Sequence, residues 1–207
     1  MVARVLPMFP LGTVLVPRAR LPLHIFEPRY TTMLRVCMDS DREFGTVLIE
    51  RGSEVGGGDT RFNVGTIARI AEASELPDGR WVVEVVGAER VRVVQWLPDD
   101  PYPRAEVEVI DEIEPGPSSA DLRAQVEERL RHLFALLAER AGHDSAPDIA
   151  LDGDARVAAY QVMALPLVGD LDTYQLLELS ASEDRLARLI EILDGAVEIA
   201  RRRSGDT

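Results

Sequence analysis

The chain has 207 residues, 46% of them hydrophobic, and a formal net charge of −13. Such length and apolar content suffice for one large or two small folded domains, while the acidic balance opposes a nucleic-acid backbone. All 23 basic residues are Arg, so this sequence holds no Gly-rich phosphate loop ending in Lys, no Ser–Lys dyad and no Schiff-base lysine. Cys37 is the single cysteine, which precludes an intrachain disulfide and suits a reducing compartment. No apolar run reaches the ~18 residues of a membrane span, and Arg4, Pro7 and Pro10 interrupt any signal-peptide core. The expectation is a cytoplasmic protein that does not bind membranes.

Residues 5–9, 13–16 and 21–25 are short apolar stretches separated by prolines, the pattern of edge strands and turns. Glu27-Pro28 opens a helix, because Pro tolerates the first helical position. Its buried face is Tyr30, Met33, Leu34 and Cys37, at three- and four-residue spacing. A strand follows over 44–50, and Gly56-Gly57-Gly58-Asp59 reads as a flexible loop. Strands over 66–76 and 81–86 flank Pro77-Asp78-Gly79, a hairpin signal. Val91 and Val93, then Val107 and Val109, alternate with charged residues as half-buried strands do.

Pro115-Gly116-Pro117-Ser118-Ser119 marks a boundary, giving a β-rich domain over 1–114 and a helical domain over 118–203. Leu122, Val126, Leu130, Leu133 and Leu137 trace a first helix beyond it. Asp154 caps a second, which must end by Leu165 because Pro166 follows. Asp172 caps a short third around Leu176 and Leu177, and Ser180 with Glu183 forms a capping-box pattern for a last helix. The buried stripe of that last helix is Leu186, Leu189, Ile190, Leu193, Val197 and Ala200. The closing Arg201-Arg202-Arg203 complements a helix macrodipole. The fold class predicted is α+β, with strands first and a helical bundle second.

Six motifs in order resemble the Lon protease N-terminal (substrate-binding) domain family, in a stand-alone form. They begin with Leu6-Pro7-Met8-Phe9-Pro10-Leu11 and Leu21-Pro22-Leu23-His24-Ile25-Phe26-Glu27-Pro28-Arg29-Tyr30. Phe44-Gly45-Thr46-Val47-Leu48-Ile49 and Val64-Gly65-Thr66-Ile67-Ala68-Arg69-Ile70 follow. Val86-Gly87-Ala88-Glu89-Arg90-Val91-Arg92-Val93 and Pro101-Tyr102-Pro103-Arg104-Ala105-Glu106-Val107 close the series. The resemblance implies a PUA-like β pseudo-barrel over the first half. It also implies a non-enzymatic module that binds unfolded or degron-bearing polypeptides, as adaptor to a separate ATP-dependent protease. The missing lysines agree, since neither the motor nor the peptidase dyad of Lon can be built here.

A candidate polypeptide-binding surface comprises Phe9, Pro10, Leu11, Leu23, Phe26, Glu27, Arg29 and Tyr30, in the bland reading a set of core side chains with a local Glu27–Arg29 pair. His24, His132, His143 and Cys37 lack metal-ligand spacing, and no cofactor motif is present. Asp144, Asp148, Asp152 and Asp154 lack the order of a calcium loop. Two other functions stay open: a scaffold with one dedicated partner or homo-oligomer formation through the bundle, and a small-ligand pocket of the kind cereblon's Lon-like region would suggest.

Overall fold

A computed structural model of the chain describes residues 3–52, 60–142, 145 and 147–202. The glycine loop at 56–59, His143, Asp144 and Arg203 lie outside the described residues. Two compact units are present: Met1–Asp111 with Asp170–Glu178, and Glu112–Gly169 with Leu179–Thr207.

The first unit contains β1 (Arg4–Leu11), β2 (Arg20–Ile25), α1 (Pro28–Met38), β3 (Glu43–Arg51), β4 (Thr60–Glu75), β5 (Trp81–Leu97) and β6 (Arg104–Val109). These strands form one sheet in the order β2-β5-β4-β3-β1-β6, and a further β5–β6 pairing curls it closed. β5 manages this through its length: residues 81–86 pair with β2, and residues 91–97 pair with β6. Gly87 marks the transition between them. A Cβ there would lie 2.1 Å from the Val16 carbonyl oxygen, so only glycine admits the loop backbone. The predicted hairpin forms at the β4–β5 turn, with Gly79 at φ 83° and the Leu76 N–H donating to the Arg80 carbonyl (2.7 Å).

β1 carries two prolines yet lies inside the sheet. Its residues 4–7 pair with β6 and its residues 8–11 with β3, so each half needs ladder bonds on one side only. Its two faces also feed different cores. Leu6 and Met8 join Val47, Ile67, Val91 and Val107, whereas Phe9 and Leu11 join Leu23, Ile25, Tyr30 and Phe44. The stretch 13–16, expected as a strand, is a loop. It is engaged otherwise: the Asp170 carboxylate accepts from the Thr13 hydroxyl (2.7 Å) and from the Val14 backbone N–H (3.2 Å). α1 buries the four residues its spacing predicts, Tyr30, Met33, Leu34 and Cys37.

The second unit holds α2 (Ser119–Arg140), α3 (Ala155–Met163) and α5 (Ser182–Arg202). Asp154 caps α3 as expected, accepting from the Arg156 N–H at 2.8 Å. Other details differ. Leu137 is 39% exposed, and Ala138 takes the buried position in its place. The Ser180 capping box does not form, because α5 starts at Ser182 and the Glu183 carboxylate accepts from the Gly116 N–H instead. The buried Arg185 donates to the Leu179 carbonyl (2.8 Å) and to Glu112 (3.0 Å), and Glu112 also accepts from the Tyr160 hydroxyl.

The short helix α4 (Asp170–Glu178) belongs with the strands, not with the other helices as its position in the sequence suggests. It also begins two residues before the expected Asp172 cap. Tyr174 stacks on Phe62 of β4 (centroids 4.1 Å apart), and Leu177 is fully buried.

Candidate functional site

Five of the eight residues proposed for the binding surface are core. Phe9, Pro10, Leu11, Leu23 and Tyr30 are buried. The reason is the curled sheet: β1 is covered on both faces, and Phe9 is wedged between Tyr30 (4.3 Å) and Phe44 (6.0 Å). Glu27 and Arg29 are half-buried and pair locally at 3.1 Å. Phe26 alone among the apolar members faces out, with 55% of its surface exposed. Alternation explains this. Leu23 and Ile25 point inward from β2, so the next outward position belongs to Phe26. The chain then turns at once into α1 through Pro28.

Phe26 borders a half-open cavity of about 200 Å³ lined by His24, Ile25, Phe26, Leu76, Arg80 and Trp81. The end of β2 supplies the first three, and the β4–β5 hairpin supplies the others. Register brings them together, since Trp81 pairs with Ile25 on one side and with Glu75 on the other. The Trp81 indole N–H is buried and finds no acceptor among the described residues. Arg80 folds over the turn onto Asp78, with Nε at 2.8 Å and Nη2 at 2.7 Å from the carboxylate. Those hydrogen bonds hold the Asp78 carboxyl below the usual carboxylate range and raise Arg80. The rim charge is therefore internally matched and the wall is mainly apolar.

Leu76, Arg80 and Trp81 were not among the residues singled out from the sequence. The available signal was Trp81 itself, a large aromatic placed directly after a hairpin turn, where solvent is near. Elsewhere, Cys37 is fully buried, and burial pushes its thiol up to about 12. Among the described residues no group of three or more His, Cys, Asp or Glu is placed to hold a metal ion. No described helix is long and apolar enough to cross a membrane.

Residues 5–195 match the family described as the ATP-dependent protease La (LON) substrate-binding domain. The chain belongs to the Lon substrate-binding domain family. This Lon-type chain is 32% identical over 203 residues to Lon protease 2 of Herpetosiphon aurantiacus, a match covering 94% of the chain and 24% of that relative. It spans a quarter or less of the length of the first curated relatives it matches. Among solved structures, it is similar to the Lon N-terminal domain protein from Xanthomonas campestris, with a TM-score of 0.66 and 26% identity, covering 91% of this chain and 98% of that one. The N-terminal domain of Mycobacterium avium complex Lon protease shares the mixed α+β fold at a TM-score of 0.69 and 17% identity, covering 92% and 98%. The Lon likeness read from the motifs thus extends from the strands through most of the last helix.

Proposed function

We propose that this Lon-type chain is a non-enzymatic recognition module that holds unfolded or degron-bearing polypeptide segments in the cytoplasm, as an adaptor to a separate ATP-dependent protease. The observation that carries this reading is Phe26, exposed beside the Trp81-lined cavity. A drug-sized ligand needs roughly 300–1,000 Å³, whereas about 200 Å³ accommodates one large apolar side chain. The size therefore favours a side chain of a polypeptide over a free small molecule. Such side chains are accessible in unfolded segments and sequestered in folded ones. Family membership supports recognition as the task, and the absence of Lys from the sequence supports a role without ATP hydrolysis or peptidase chemistry. In the same reading the closed sheet is a PUA-like pseudo-barrel, and α2, α3 and α5 form a small helical bundle.

The test is fluorescence anisotropy of labelled lactalbumin, reduced and carboxymethylated so that it stays unfolded, titrated with the full chain. Native lactalbumin serves as the folded control. Saturable binding of the unfolded form alone is the expected result. Binding of neither form at high protein concentration overturns client capture and turns the search to one dedicated partner, or to self-association.

A further inference from the structure

Among the described residues every strand of the sheet except β2 pairs with at least two others, β5 with three; β2 pairs with β5 alone. The ladder between them shows which way its backbone groups point. The Gly87 N–H donates to the Ala19 carbonyl at 2.9 Å, so residue 19 faces β5. The β2–β5 register then runs without a shift from Arg20–Val86 to Ile25–Trp81. The two-residue alternation of an antiparallel ladder turns residues 21, 23 and 25 toward β5, and residues 20, 22 and 24 toward the outer edge. All three outward residues, Arg20, Pro22 and His24, are exposed.

We propose that the outer edge of β2 takes an extended client segment by strand addition, with one client side chain seated in the Phe26–Trp81 cavity. The inference rests on the polypeptide-recognition reading above and specifies its mode of binding. Unpaired main-chain donors and acceptors in a row select another main chain in extended conformation, whatever its sequence. The cavity lies at the C-terminal end of the same strand, since His24, Ile25 and Phe26 form one wall. Backbone pairing therefore supplies sequence-tolerant affinity, and the cavity supplies the preference for a large apolar side chain. Pro22 completes the device. It stands at an outward position, where its missing N–H breaks no bond to β5, and it removes one donor from the middle of the edge. Indiscriminate edge-to-edge pairing is thereby weakened, while the His24 N–H and carbonyl beside the cavity remain.

The experiment titrates labelled, carboxymethylated lactalbumin against the full chain and four variants: Pro22→Ala, His24→Pro, His24→Ala and Phe26→Ser. Pro22→Ala restores an outward N–H and is expected to tighten binding by about three- to tenfold, the range of one added hydrogen bond. His24→Pro and His24→Ala lose the same imidazole, so the difference between them reads the N–H alone. His24→Pro is expected to bind at least about threefold more weakly than His24→Ala. If Phe26→Ser weakens binding while the backbone variants leave it within about twofold, strand addition is overturned and the cavity reading stands. Absence of binding by the unsubstituted chain overturns both. Circular dichroism checks each variant for folding, and if His24→Pro does not fold, Pro22→Ala decides the question by itself.

Discussion

Arg90 of β5, only 1% exposed, donates from Nη1 to the carbonyl oxygen of Leu177, 87 residues later in the chain, at 2.8 Å. Leu177 lies in the last turn of α4, where carbonyls lack an intrahelical N–H partner. A guanidinium is well suited to that end, because it satisfies the carbonyl and complements the negative pole of the helix. α4 is thus held to the strands at both ends, by Arg90 at its C-terminus and by Thr13 and Val14 against Asp170 at its N-terminus.

Replacing the buried Arg90 by Leu should therefore loosen α4 from the strands. The Leu177 carbonyl would stay buried without this donor, at a cost of roughly 1.5–3 kcal/mol for a charge-assisted bond. Hydrogen exchange should show the loss concentrated in the amides of α4. Unchanged protection there, with an unchanged urea midpoint, would mean that the bond does not anchor the helix.

Phe26 and Phe9 should separate recognition from folding. Phe26→Ser removes an exposed ring and is expected to change stability by no more than about 0.5 kcal/mol. Its affinity for the unfolded probe should fall roughly tenfold, as for a hot-spot aromatic. Phe9→Ala empties a site packed by Tyr30 and Phe44 and should cost about 3–5 kcal/mol. Equal stability losses in the two variants would show that Phe26 is structural.

Trp81→Phe tests what the indole contributes. The substitution keeps an aromatic wall and deletes a buried N–H that has no acceptor among the described residues. Removing an unsatisfied donor should be neutral or stabilising by about 1 kcal/mol, and probe affinity should stay within about threefold. A collapse of affinity would instead identify the N–H as a donor to the client.

The Cys37 thiol, pushed from 9.0 to about 12 by burial, should resist alkylation in the folded chain and react once urea unfolds it. The folded state holds its proton more tightly than the unfolded state. Its contribution to stability is therefore complete below pH 9 and is lost as pH rises toward about 12. Tyr174, raised by burial and by its bond to Glu178, adds to the same alkaline limb. Cys37→Ala should make that limb shallower without abolishing it. An unchanged slope in unfolding titrations from pH 9 upward would show that the thiol is not linked to folding.

Several local features were legible without a structure because their causes lie within a few residues. The Asp154 cap, the hairpin at Pro77-Asp78-Gly79 and the buried face of α1 depend on backbone geometry and helical spacing. The candidate site was legible only in part. Phe26, Glu27 and Arg29 lie at or near the surface, but Phe9, Pro10, Leu11, Leu23 and Tyr30 are core, and Trp81 was passed over. An apolar residue on a strand reveals that it prefers burial. It does not reveal whether the opposite face of its strand is covered as well.

The order and identity of the motifs by themselves determined the family, and the absence of Lys by itself removed the Lon-type motor and dyad from this sequence. Tertiary structure decided the rest. Closure of the sheet through β5 covered both faces of β1 and left β2 with one neighbour among the described residues. Long-range bonds from Arg90, Thr13 and Val14 placed α4 with the strands. Local propensity acts between residues a few positions apart, whereas these outcomes depend on groups brought together across up to 157 positions of chain.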